Sequence, residues 1–156
     1  MKRVLCLIMM IVTGVVFAGC SNAEDAKKYD IQKAGEEIVS QIESASQMTK
    51  VNDDILTSFY GIDTADINNY FALISTDSTK QDEVIMVEAK DADALKRVQE
   101  KIQTRYDSKY AQTKDYLPEE AKLIEASKVE TDGNYVWMFI SADADKMNEI
   151  FQGTAA

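Results

Sequence analysis

Few side chains in this sequence have the types and spacing to do chemistry. There is no histidine, which removes Ser–His–Asp triads, Cys–His dyads and the usual zinc sites. Gly-x-Ser-x-Gly, Ser-x-x-Lys and glycine-rich phosphate loops are missing, and the six glycines are scattered. Three candidates are left. They are Cys20, directly after an apolar run; the pairs Asp91/Asp93 and Asp143/Asp145, each written Asp-Ala-Asp; and the tyrosines Tyr106, Tyr110 and Tyr116.

Cys20 has the strongest context. Lys2 and Arg3 form a short basic start, and Val4 to Ala18 is almost wholly apolar. That run is too short to span a bilayer comfortably, which takes about 20 apolar residues, but it suits the basic and apolar regions of a secretory signal. Ala18-Gly19-Cys20 then resembles a bacterial lipobox, with Phe17 where an aliphatic residue is usual. Small residues before the cut let the chain enter a peptidase site. A thiol at the new N-terminus is the nucleophile for a diacylglyceryl thioether. Cleavage is expected between Gly19 and Cys20, with lipid on Cys20. Two acyl chains hold a protein on a membrane stably, because each buried methylene contributes roughly 0.8 kcal/mol. Cys6 would leave with the signal, so no intrachain disulfide is expected.

The other candidates have plainer readings. Paired aspartates could ligate a hard cation, but a calcium loop needs more oxygen ligands in sequence and a glycine at its sharp turn. Both pairs instead sit where a helix should begin, the first Asp capping and the second favouring the positive end. Tyr106 and Tyr110, one helical turn apart, with Tyr116 beyond, could form an exposed strip for a partner or a glycan. The favoured reading is the wet end of a helical core face. Trp137 lies in the most apolar segment and is assigned to the core. Carboxylates abound, yet nothing selects a pair for a glycosidase-like mechanism. No catalytic residue, metal site or cofactor is therefore assigned.

All 27 acidic residues follow Cys20, and two of the 17 basic ones precede it. The charge beyond the expected cut is 15 − 27 = −12. Such a surface repels nucleic acid and anionic head groups, so nucleic acid is excluded as a partner. The length fits one domain. The expected organisation is a signal peptide over 1–19, a lipidated tether over 20–28 and a single domain over 29–156. A tether of seven or eight residues reaches at most roughly 25–29 Å, so the domain would sit close to the membrane.

The elements that must position these residues follow from periodicity. Ile31, Ala34, Ile38, Ile42 and Ala45 recur at helical spacing. A shorter helix over Asn52 to Tyr60 is predicted, with Asn52 as N-cap and Gly61 at its end. Ile67–Ser75 and Glu83–Ala89 read as a hairpin around a long polar loop. A long helix is predicted from Asp91 to Thr113, with Leu95, Val98, Ile102, Tyr106 and Tyr110 on one face. Pro118 starts a short helix. Glu125–Thr131 and Asn134–Ser141 read as strands around Asp132-Gly133, a strong hairpin signal. The last helix runs from Asp143 to Gln152. The expected fold is α+β: an antiparallel sheet of about four strands with helices packed on it, in ββαββα order after one or two N-terminal helices. Val87–Val98 and Phe139–Ile150 align at an offset of 52 residues, which leaves a ββα duplication open.

Together, Phe59-Tyr60-Gly61-Ile62, Asp82 to Asp91, Tyr116-Leu117-Pro118-Glu119-Glu120 and Gly133-Asn134-Tyr135-Val136 resemble a family of small Gram-positive bacterial lipoproteins carrying a domain of unknown function. The similarity runs from Asp30 to Phe151. It implies a lipid anchor and a single domain, and it brings no activity and no catalytic residues. The sequence thus points to a non-enzymatic binding or accessory module, anchored by lipid on the extracytoplasmic face of the cell membrane, with an envelope protein as the kind of partner it would serve. A small-ligand or cation-binding domain is the alternative, and a carboxylate-based envelope hydrolase a third.

Overall fold

The computed structural model describes residues 27–156. Gly19 and Cys20, where cleavage and lipidation are expected, lie outside the described residues.

Helix α1 (Ile31–Gln41) is capped by Asp30, whose carboxylate accepts from Lys33 N. The chain turns extended at Ile42 (φ −123°) and re-enters a short helix, α2 (Glu43–Ser46). Strand β1 is only Thr49–Lys50. Asn52 caps α3 (Asp53–Ile55), which widens into a π-helical turn over Leu56–Tyr60 that Gly61 closes at φ 69°. Strands β2 (Ile67–Ile74) and β3 (Glu83–Ala89) form the first hairpin. Helix α4 (Ala92–Thr113) and helix α5 (Pro118–Ala126) follow. Strands β4 (Val129–Asp132) and β5 (Tyr135–Ile140) form the second hairpin, with Gly133 at φ 55° in its turn. Helix α6 (Ala144–Gln152) comes last.

The sheet is antiparallel throughout, in the order β1-β2-β3-β5-β4. Strand β5 is buried along its whole length, and alternation sorts its side chains between two cores. Tyr135, Trp137 and Phe139 face α1 and α6. Val136, Met138 and Ile140 face α4, α5 and the π turn. A strand covered on both faces loses the polar-out alternation of a half-exposed one, which is why "YVWMFI" reads as continuous.

The α+β class and antiparallel hairpins are as expected, with four differences. The sheet has five strands rather than about four, because Thr49 and Lys50 pair with Ile74 and Leu73. Glu125 belongs to α5, not to a strand: Ala121 and Ile124 are buried on one face of that helix, which continues to Ala126. The Asn52–Tyr60 helix is α only in its first turn. Asp143 makes no capping hydrogen bond (ψ 19°); its own N–H donates instead to Ser141 Oγ at 3.2 Å.

The duplication does not survive in three dimensions. Strands β3 and β5 are antiparallel neighbours, yet α4 and α6 cover opposite faces. Superposing β3-α4 on β5-α6 therefore leaves β2 and β4 on opposite sides. The two units have opposite hand, and the repeat is limited to a strand passing into a capped, amphipathic helix.

Tyr29 fixes where the chain enters the fold. Its ring stacks on Phe151 at 4.5 Å and meets Tyr135 edge-on at 5.1 Å. Its hydroxyl donates to Asp132 Oδ2 (2.5 Å) and lies 3.0 Å from the side-chain amide of Gln152. Burial, then the Asp132 carboxylate, pushes that hydroxyl's pKa up to about 12. Lys28 and Ala156 exchange backbone hydrogen bonds beside it (3.4 and 3.0 Å). This end of the sheet holds the start of β5 and the end of β3; the opposite end holds the start of β3 and α2.

Candidate functional site

The antiparallel run of β3 and β5 separates the two aspartate pairs. Asp91 follows the end of β3 and Asp143 the end of β5, so they sit at opposite ends of the sheet. Asp91 is a true cap, accepting from Asp93 N (3.0 Å) and Ala94 N (2.8 Å). Among the described residues no group of three or more His, Cys, Asp or Glu side chains could hold a metal ion. Tyr106 and Tyr110 pack, half-buried, against the α4-side core, as the core reading expects. Tyr116 does not: it is 84% exposed, because α4 has ended and the chain is turning toward Pro118. Trp137 is core, and its Nε1 donates to Asn148 Oδ1 at 3.1 Å.

The unusual chemistry lies elsewhere, where β3 starts. Glu83 is fully buried, on the face covered by α4. Arg105 donates Nε and Nη2 to its two oxygens (3.2 and 2.7 Å), and Lys109 Nζ donates at 2.7 Å. Arg105 and Lys109 continue the buried stripe of α4 that begins at Ala94, Val98 and Ile102, so helical spacing carries both cations onto the strand. Burial pushes the Glu83 carboxyl up, but the hydrogen bonds and charges of Arg105 and Lys109 outweigh it and hold it below the usual glutamate value. Burial lowers Lys109, against the pull of Glu83.

The π turn supplies the wall of this cluster. Its wide register places two successive aromatics against α4. Phe59, 49% exposed, lies over the Arg105 guanidinium with 4.0 Å from Cζ to the ring centre. Tyr60 is buried, and its hydroxyl makes no hydrogen bond of regular geometry. Burial, then the nearby Glu83 charge, pushes that hydroxyl well above the ordinary tyrosine value. Buried polar atoms almost always find partners, and π turns recur at functional sites. A buried carboxylate under two cations, a buried hydroxyl beside it and a half-exposed ring all meet within one turn of α4.

A second feature lies at the same end of the sheet. A cavity of about 490 Å³ opens between α2, the β2–β3 loop and the first turn of α5, a size that accommodates a small ligand. Met48, Leu123 and Ala142 supply its apolar lining. Asp77, Asp82, Glu119 and Glu120 supply carboxylates, and Lys80 pairs with Glu120 at 3.4 Å.

Reading the sequence for motifs missed the Glu83 cluster. The signal was there: an acid opens a strand that is apolar from Val84 to Val87, and two bases sit on the apolar stripe of a helix. No curated protein and no solved structure matches the chain. The family model described as Domain of unknown function (DUF4358) matches residues 40–141, a span that includes the Glu83 cluster and most of the cavity. The chain belongs to the DUF4358 family.

Proposed function

We propose that this chain is a lipid-anchored module on the extracytoplasmic face of the cell membrane that binds an envelope protein as an accessory and does no catalysis of its own. The observation that carries this reading is the order of residues at the N-terminus: basic Lys2-Arg3, an apolar run to Ala18, then Gly19-Cys20. The fold is consistent with a short tether, since Tyr29 is held between Phe151, Tyr135 and Asp132. The end that carries the Glu83 cluster and the cavity would then face away from the lipid. Against catalysis stand the lack of histidine and the state of Glu83, whose two oxygens are both occupied by cations.

Intact mass of the membrane-extracted protein tests the anchor. The expected result is loss of residues 1–19 and a diacylglyceryl adduct on Cys20, both abolished in Cys20→Ala. A wild-type mass that retains residues 1–19 sinks the anchor. Crosslinking in intact cells, with Cys20→Ala beside the wild type, tests the accessory role: a partner is expected to be enriched only with the anchored form.

The cavity of about 490 Å³ favours a second reading, a small-ligand-binding domain. For its cation version, no group of three or more His, Cys, Asp or Glu side chains among the described residues could hold a metal ion. A thermal-shift screen of polar small molecules that leaves the melting temperature unchanged would remove this reading.

A further inference from the structure

Arg105 is held as a receptor is held. Glu83 occupies one edge of its guanidinium through Nε and Nη2. Phe59 covers one flat face at 4.0 Å. The other edge has no partner among the described residues, and the side chain is 18% exposed. Arginine's planar fork offers five N–H donors and can bind a carboxylate along an edge in bidentate fashion. A fork already locked into one rotamer has little conformational entropy to lose on binding.

The other described arginine makes the contrast. Arg97 also donates Nε and Nη2 to one carboxylate, that of Asp66 (2.9 and 2.6 Å). It is 55% exposed, and Asp91 and Asp93 act on it as further negative charges. No aromatic ring covers it among the described residues. Beside Arg105, Glu83 and Lys109 carry opposite charges, and Asp82 acts on Lys109. Among the described residues, only at Arg105 does a held guanidinium meet a half-exposed ring.

We propose that the free edge of Arg105, walled by Phe59, is a binding site for a carboxylate carried on an apolar stem. Glu83 and Lys109 are positioning residues: they fix the fork without touching the ligand. The carboxylate could be a free acid or an acidic side chain of a protein, and both present the same group to the fork. This assignment rests on reading the domain as a binding module, but not on the lipid anchor.

The test uses the full chain in detergent and follows the arginine Nε–H resonances by NMR during titration with butyrate. Acetyl-glutamate amide in a parallel arm stands for a protein side chain, and butanol is the uncharged control. Butyrate is expected to shift the Arg105 resonance saturably, and butanol is not. Arg105→Lys keeps the charge but loses the fork and with it the observed Nε–H, so butyrate binding to that variant is read from the ligand's own saturation-transfer signal and should weaken about tenfold or more. Phe59→Ala, at an exposed position, should weaken it without unfolding the domain. Preference between butyrate and the glutamate amide identifies the source. An Arg105 resonance that does not move in either arm overturns the site. So does a response lost equally in Arg97→Lys. Intact mass on the same preparation reports the anchor separately, so a lipidated chain that ignores both carboxylates sinks this inference alone.

Discussion

Lys109 Nζ stands 2.7 Å from Glu83 Oε2, and neither side chain is more than 9% exposed. With Arg105 on the same carboxylate, the C-terminal half of α4 is pinned to the first residue of β3. Replacing one member of such a group leaves the others charged and without their partner in a largely buried site. Breaking a buried pair this way typically costs about 3–5 kcal/mol. Glu83→Ala strands two cations and should lose stability on that scale in urea unfolding. Lys109→Met leaves Glu83 with its bidentate arginine and should cost clearly less. If Lys109→Met is the more damaging, the assignment of Glu83 as the hub is wrong.

The same cluster sets an acid limit. Glu83 titrates below its ordinary value in the folded protein, so the unfolded chain binds its proton more readily. Its contribution is therefore fully present above the unfolded-state value near 4.5 and is lost as pH falls through the lower folded-state value. The gap in unfolding free energy between wild type and Glu83→Gln should stay flat above that pH and narrow below it. Denaturant melts across the acid range measure this directly. A gap that widens in acid would reverse the sign argued here.

The two Asp-Ala-Asp sites offer a test by contrast. Asp91 accepts from Asp93 N and Ala94 N, whereas Asp143 makes no capping hydrogen bond. Losing an N-cap side chain costs about 1 kcal/mol. Asp91→Ala should therefore lower stability by roughly that amount, while Asp143→Ala should leave it nearly unchanged. Equal losses would mean that the two helix starts are alike after all.

These contrasts mark what the sequence makes legible. The elements are readable because local chemistry decides them: the Asn52 cap, the turn at Gly133, the apolar stripe of α4. The Asp132-Gly133 signal found its hairpin because the turn demands positive φ at the glycine. What resists reading is set by partners far along the chain. Glu83 and Arg105 are 22 residues apart, and nothing local says that they meet. Strand β1 is two residues long and exists only because β2 offers an edge. The π turn looks helical in sequence, since the packing of Phe59 and Tyr60 on α4 decides its width.

Gly35 is a long-range case of the same kind and gives the last prediction. It lies inside α1, where glycine is about 1 kcal/mol worse than alanine on helix propensity. Propensity alone predicts that Gly35→Ala stabilises. A Cβ built there would lie 2.3 Å from the Phe71 ring, far inside contact distance, and Phe71 is itself buried in the sheet. Neither side can yield cheaply, because α1 is held by Ile31, Ala34 and Ile38 in the same core. Overpacking of this sort costs about 1–3 kcal/mol, which exceeds the propensity gain. Gly35→Ala should therefore destabilise, and Phe71→Leu in the same chain should recover part of the loss by removing the ring. A Gly35→Ala variant more stable than wild type would show that α1 does not sit this close to β2.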